Sequence, residues 1–152
     1  MEIERKYLVR RLPDGLDRYP HSEIEQGYLC TAPVVRLRRL GDRYILTVKE
    51  HCATTSTALH NREEEFTLSR EAYLQLVSKC EGHTVGKTRY RVPLDGGLTA
   101  ELDIFHGRHE GLRVVEVEFP DTTAADSFAP PDWFGDDVSA DPRYRNSRLA
   151  ME

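Results

Sequence analysis

Seven stretches of this chain alternate with period two, and in each of them one alternating set is charged. Glu2–Val9 carries Glu2, Glu4 and Lys6, and Val34–Leu40 carries Arg36 and Arg38. Arg43–Lys49 carries Arg43, Thr47 and Lys49; Glu63–Leu68 carries Glu63 and Glu65; Lys87–Leu94 carries Lys87, Arg89 and Arg91. Thr99–Phe105 presents Glu101 with Asp103, and Leu112–Phe119 presents Glu116 with Glu118. Period two is the strand signal, because successive side chains point to opposite faces and residues i and i+2 share one. The second set is apolar: Val35/Leu37, Tyr44/Leu46/Val48, Phe66/Leu68, Tyr90/Val92, Leu102/Ile104 and Val115/Val117/Phe119. Seven strands with little helix cannot cover both faces, so the apolar face is the buried one. Either two sheets meet as a sandwich with charges outside, or one sheet curls with charges inside and helices packed outside.

The connections agree with an antiparallel sheet. Leu40-Gly41-Asp42 and Asp95-Gly96-Gly97 read as hairpin links. One helix is clear: Ser69 is its N-cap, Glu71 sits in the first turn, and Gly82 stops it. Its stripe Tyr73, Leu76, Val77 and Cys80 follows i, i+3, i+4, i+7 and reads as core packing. A weaker helix starting after Asp121 and covering Ala124–Phe128, and a third in the tail Tyr144–Met151, are expected. The Thr-rich stretch His51–Asn61 reads as a mobile loop, and Ala129–Pro142, with Pro130-Pro131, as an irregular segment. The fold class is therefore α+β, mostly antiparallel β. At 152 residues it is a single domain, 1–152.

Composition excludes several functions. No apolar run approaches the ~18–20 residues of a membrane span, and MEIERKYLVRR lacks the apolar core of a signal peptide. A net charge of −5 argues against a nucleic-acid binder held by a basic field. Cys30, Cys52 and Cys80 are odd in number and in no CxxC pattern, so they read as reduced thiols of a cytoplasmic protein. The six His are scattered without i, i+4 spacing and read as surface or structural.

Acids and bases segregate by strand, whereas a solvated face usually mixes signs within each strand. Charges away from bulk water must be paired. A strongly anionic ligand bridged to the acids by divalent cations would satisfy both zones at once. Carboxylates at i and i+2 can share one hard cation such as Mg²⁺ or Mn²⁺ through oxygen, and Arg and Lys supply the donors that phosphoryl oxygens accept.

The opening Glu2-Ile3-Glu4-Arg5-Lys6 resembles the ExExK signature of the CYTH, or triphosphate tunnel metalloenzyme, superfamily. The resemblance continues in order through Gln26-Gly27-Tyr28-Leu29, Arg36-Leu37-Arg38, Thr47-Val48-Lys49, Lys87-Thr88-Arg89-Tyr90, Glu101-Leu102-Asp103-Ile104-Phe105, Val115-Glu116-Val117-Glu118-Phe119 and Arg143-Tyr144-Arg145-Asn146. It implies a closed eight-stranded antiparallel β-barrel, a tunnel with its charged face inward and a few helices packed outside. It also implies metal-dependent hydrolysis of a triphosphate, in the short bacterial branch most often inorganic tripolyphosphate. Carried over by position, Glu2, Glu4, Asp103, Glu116 and Glu118 would hold two metal ions, with Glu63 and Glu65 as further acids. Lys6, Arg36, Arg38, Lys49, Lys87, Arg89 and Arg145 would bind the phosphates. Glu4, Lys87 and Glu118 would stand nearest the chemistry. One Mg²⁺ or Mn²⁺ would bridge phosphate oxygens, and the second would lower the pKa of the attacking water.

The family often has an Arg where this chain has Asn61, and Arg62 is one step out of phase and would point away from the tunnel. Trp133-Phe134 would plug against the barrel wall. Within the same superfamily, an adenylate cyclase of the class IV type and a thiamine triphosphatase are the alternatives, with a non-catalytic polyphosphate binder behind them. The partner is a small-molecule triphosphate, not nucleic acid or membrane, and the protein is expected as a monomer or homodimer.

Overall fold

The structure is a computed structural model that describes residues 2–52 and 58–152. Among these, nine strands form one antiparallel sheet: β1 (Glu2–Val9), β2 (His21–Thr31), β3 (Val34–Leu40), β4 (Arg43–His51), β5 (Leu59–Leu68), β6 (Glu81–Pro93), β7 (Thr99–Phe105), β8 (Arg113–Phe119) and β9 (Phe134–Asp137). The order β5-β4-β3-β2-β6-β7-β8-β1 closes on itself through β5–β1, giving an eight-stranded barrel. One edge of β1 pairs with β8. Its other edge pairs with β5 over Glu2–Glu4 and then with β9 at Tyr7 and Val9. The barrel is thus laced shut by β5 at one end of β1 and by β9 at the other.

The charged sets of the strands face inward. Closure puts Glu4 opposite Glu118, Lys6 opposite Glu116, Glu101 opposite Glu116 and Arg89 opposite Asp103. The apolar sets face outward, and the main core forms on that outer wall. There Tyr7, Val92, Leu102, Val115, Val117 and Phe119 are buried beneath α2 (Thr122–Asp126) and the segment that follows it. Asp121 caps α2 by accepting from the Ala124 N–H at 2.7 Å. Phe134 lies 5.0 Å from Tyr7 between ring centroids, and Trp133 4.6 Å from Phe134. As expected, this pair packs on the barrel wall.

α1 (Arg70–Val77) starts where Ser69 accepts from the Ala72 N–H at 3.1 Å. It lays the buried Tyr73 ring 4.9 Å from Tyr44, against the outer face of β4. Coverage is incomplete there, since Phe66 on β5 stays 53% exposed. The apolar set of β5 is therefore not wholly buried as expected.

Five expectations need correction. β2 is a further strand without an inward charged row, because its inward residues are the neutral Ile24, Gln26 and Tyr28, while Glu23 and Glu25 face out. The stretch Ala129–Pro142 is not wholly irregular, because β9 pairs with β1. Of the loop expected over His51–Asn61, His51 and Leu59–Asn61 belong to strands, and residues 53–57 lie outside the described residues. The weaker helix starts directly after Asp121, as expected, but ends at Asp126, two residues short of Phe128. The tail helix α3 (Asn146–Leu149) does not pack outside. It puts Leu149 and Ala150 against the inward-facing Tyr28, Val85, Phe105 and Val114, and so closes one end of the barrel. No helix among the described residues is long and apolar enough to cross a membrane.

Candidate active site

The barrel encloses a cavity of about 310 Å³ whose lining carries the two charge zones on opposing walls. Glu2, Glu4, Glu116 and Glu118 project from the neighbouring strands β1 and β8, and Arg36, Arg38 and Arg43 from β3 and β4. Arg89, Arg91 and Glu101 extend the wall along β6 and β7, and Arg145, Asn146 and Ser147 reach in from the tail. Each pair lies on one face because i and i+2 must.

The basic wall is poorly satisfied by the protein itself. Arg36 and Arg38 are nearly buried, yet the Nε of each has no hydrogen-bond partner among the described residues. Arg38 reaches Glu65 at 3.2 Å with a terminal nitrogen. Burial first, then the neighbouring Arg36 and Arg89, lower its pKa to about 10. Buried donors left unpaired cost about 1–3 kcal/mol each, a cost that an acceptor entering the cavity would relieve.

The acidic wall is crowded. Glu4 has its pKa raised to about 8, mainly by burial, then by Glu116 and Glu2. Glu63 is pushed up to about 7 by burial and by Glu2. Glu116 goes the other way: burial would raise it, but Lys6, Arg89 and Lys87 together hold it far below the carboxylate range. Lys6 Nζ lies 3.6 Å from Glu116 and donates to the Tyr144 carbonyl at 3.0 Å. Lys49 Nζ sits among the acids, 2.8 Å from Glu2, 3.6 Å from Glu4 and 3.8 Å from Glu63. Burial opposes its charge, and Glu4, Glu2 and Glu116 overcome that and raise its pKa.

Among the described residues no three His, Cys, Asp or Glu side chains are already drawn together around a metal position. The donor set nevertheless fits a hard divalent cation. It offers only carboxylate oxygen, from Glu2, Glu4, Glu116 and Glu118 on two adjacent strands, and their mutual repulsion would be relieved by added positive charge. One ammonium, that of Lys49, already stands beside Glu2 and Glu4.

Most of the residues expected from the sequence meet at this cavity. Two do not line it. Asp103 is buried beneath the basic wall, where Arg89 donates Nε to Oδ1 at 2.7 Å and a terminal nitrogen to Oδ2 at 2.9 Å. Lys87 Nζ lies 2.7 Å from the same Oδ2 and donates to Asn146 Oδ1 at 3.4 Å. Burial, partly offset by Asp103, lowers the Lys87 pKa to about 8. Both therefore sit behind the surface that a ligand would touch.

The structure adds liners that were not singled out, among them Glu101, Arg91, Arg43, Asn146 and His51. Glu101, Arg91 and Arg43 were legible as members of their charged sets. Asn146 and His51 had no pattern signal, and His51 is an exposed side chain at the cavity lining. Its Nδ1 bonds Asn61 Oδ1, and Asn61 Nδ2 donates to Glu2 at 3.1 Å. Arg62 points outward toward Glu50, as its phase required.

No family model matches the chain. It is 41% identical to the inorganic triphosphatase of Nitrosomonas europaea, over 99% of this chain and 97% of that protein. It is 38% identical to the inorganic triphosphatase of Acetivibrio thermocellus, over 97% and 92%. Among solved structures, the inorganic triphosphatase NE1496 aligns with TM-score 0.72 at 38% identity, covering 100% of this chain and 95% of that one. A putative adenylyl cyclase from Hippeastrum shares the fold, with TM-score 0.65 over 82% of each chain at 15% identity. With inward acidic and basic rows on a closed barrel and end-to-end similarity to two such proteins, the chain belongs to the inorganic triphosphatases.

Proposed function

We propose that this protein hydrolyses inorganic tripolyphosphate to pyrophosphate and phosphate with the help of a divalent cation, Mg²⁺ or Mn²⁺. The carrying observation is the opposition of two walls in one cavity: buried arginines with unpartnered Nε groups face crowded glutamates. A triphosphate supplies acceptor oxygens to the first wall, and the cations it travels with supply positive charge to the second. The cavity volume suits a small anion, and among the described lining residues Tyr28 is the one aromatic ring besides the His51 imidazole. A nucleobase has little to stack on there, which favours the inorganic substrate over ATP or thiamine triphosphate.

In this reading Arg36, Arg38, Lys6 and Arg89 grip the phosphates. Arginine forks match phosphoryl oxygens in pairs, fixing orientation as well as charge. The basic wall stabilises the charge that gathers on departing pyrophosphate as the bridging P–O bond breaks and water adds its oxygen to the terminal phosphorus. Glu2, Glu4, Glu116 and Glu118 would hold the cations. When bound, these supply charge neutralisation at the phosphates and acidify the attacking water. Lys49 would be released from the acids as the cations arrive, free to turn toward the substrate.

The test is a panel of tripolyphosphate, ATP and thiamine triphosphate with Mg²⁺ or Mn²⁺, reading phosphate release and cyclic AMP. Tripolyphosphate is expected to have the highest kcat/KM, with activity abolished in excess chelator and Ca²⁺ inhibitory. Cyclic AMP as the main product of ATP, or full turnover in chelator, would overturn the proposal.

A further inference from the structure

Asp103 differs from every other acid of the inner face. It is 1% exposed, does not line the cavity, and both its oxygens are taken by cations. The β6–β7 register puts it directly opposite Arg89, which engages it with two parallel bonds of 2.7 and 2.9 Å. Lys87, two residues along β6, contributes a third charged donor at 2.7 Å. The remaining terminal nitrogen of Arg89 reaches Glu101 at 3.2 Å. Arg89 itself lines the cavity, so its free donors are presented on a guanidinium whose plane is fixed from behind. A divalent cation has no entry to this carboxylate, since it would have to displace an arginine fork or an ammonium and then stand beside both.

From this geometry we propose that Asp103 is a positioning residue: it locks the planar fork of Arg89 and the Lys87 ammonium beneath the substrate, and holds no metal ion. The proposal rests on the tripolyphosphatase reading, and it separates Asp103 from Glu2, Glu4, Glu116 and Glu118. Two like charges spaced i, i+2 on one strand would splay apart inside a protein, and the carboxylate between them keeps both aimed. Removing it leaves the positive charge that attracts the anion but loses the alignment that serves the transition state. The penalty should therefore fall on kcat more than on KM.

The experiment compares full-length Asp103→Asn and Glu4→Gln with wild type, measuring Mn²⁺ affinity by calorimetry, thermal melting, and steady-state tripolyphosphate kinetics. Asp103→Asn is expected to bind Mn²⁺ within about threefold of wild type, while kcat falls about 10–100-fold with little change in KM. Glu4→Gln should weaken Mn²⁺ at least about tenfold. Loss of Mn²⁺ in Asp103→Asn to the extent seen in Glu4→Gln, or an unchanged kcat, would overturn the proposal. If Asp103→Asn does not fold, the double variant Asp103→Asn/Lys87→Met removes the orphaned ammonium, and the same Mn²⁺ criterion decides. If wild type neither binds Mn²⁺ nor hydrolyses tripolyphosphate, the functional reading itself fails. If wild type does both and only the Asp103 criterion fails, that reading survives alone.

Discussion

Three neighbouring arginines of β3 carry the sharpest test of orientation at the residue scale. Arg36 and Arg38 point into the cavity and keep a buried Nε unpartnered, whereas Arg39 is exposed and donates its Nε to the Gly41 carbonyl at 3.0 Å. Under the proposed function, Ala at either inner position would remove a charged hydrogen bond to the substrate, worth roughly 1.5–3 kcal/mol, so kcat/KM for tripolyphosphate should fall about 10–100-fold. Lys should restore only part, because a point charge lacks the fork. Arg39→Ala should stay close to wild type. Equal small effects at all three positions would show that the charged face looks at solvent. The even-numbered arginines were legible from alternation alone. That Asn61 is buried and holds Glu2 was not, since its role depends on the β1–β5 closure 59 residues away in sequence.

At the scale of elements, the tail shows what a short segment can do once it has a cavity to enter. Leu149 and Ala150 are buried in a cluster with inner-face residues of five strands, and the Ala150 carbonyl accepts from the His83 N–H at 2.9 Å. Leu149→Ala should cost about 2–5 kcal/mol, read as a lowered melting temperature. Gly82 is more exacting. Its φ is +65°, and a Cβ there would stand 2.3 Å from the Ala150 carbonyl oxygen. Gly82→Ala should thus combine about 1 kcal/mol of left-handed strain with displacement of the tail. Faster trypsin cleavage at Arg148 than in wild type would report the displacement; wild-type resistance would refute the contact. From sequence, Gly82 read only as the stop of α1, and a four-residue helix gives no periodicity from which to infer its burial.

For the molecule as a whole, closing the barrel concentrates like charge, and pH should expose the cost. The folded-state pKa of Glu4, about 8, lies above its ordinary value near 4.5, so the metal-free protein binds a proton there that the unfolded chain does not. That contribution to stability is fully present below about pH 4.5 and is lost as pH rises toward 8. Glu63, at about 7, acts in the same direction. In excess chelator, wild type should therefore lose more melting temperature between pH 5 and 8 than Glu4→Gln, whose neutral side chain has nothing to ionise. Comparing the two cancels every group they share. Glu4→Gln melting above wild type at pH 8, while binding Mn²⁺ worse, would mark stability traded for function. A parallel pH dependence in both proteins would remove Glu4 as the cause.

What the sequence determined by itself was which side chains share a face in seven strands, since direction along a strand is a local property of period two; only the closed barrel made the charged face the inner one. It also determined the sign of each inner row, the hairpin at Gly41 and the capped start of α1. Other features became visible only in the tertiary structure, and each depends on pairing between segments far apart in the chain. The register of β6 against β7 turned Asp103 from one more inner acid into the clasp of Arg89 and Lys87. The closure of β1 on β5 brought Glu2 to Asn61 and Lys49. The barrel's open end gave the tail an apolar place to bury Leu149. Alternation says which way a side chain points; only the closed sheet decides what it meets there.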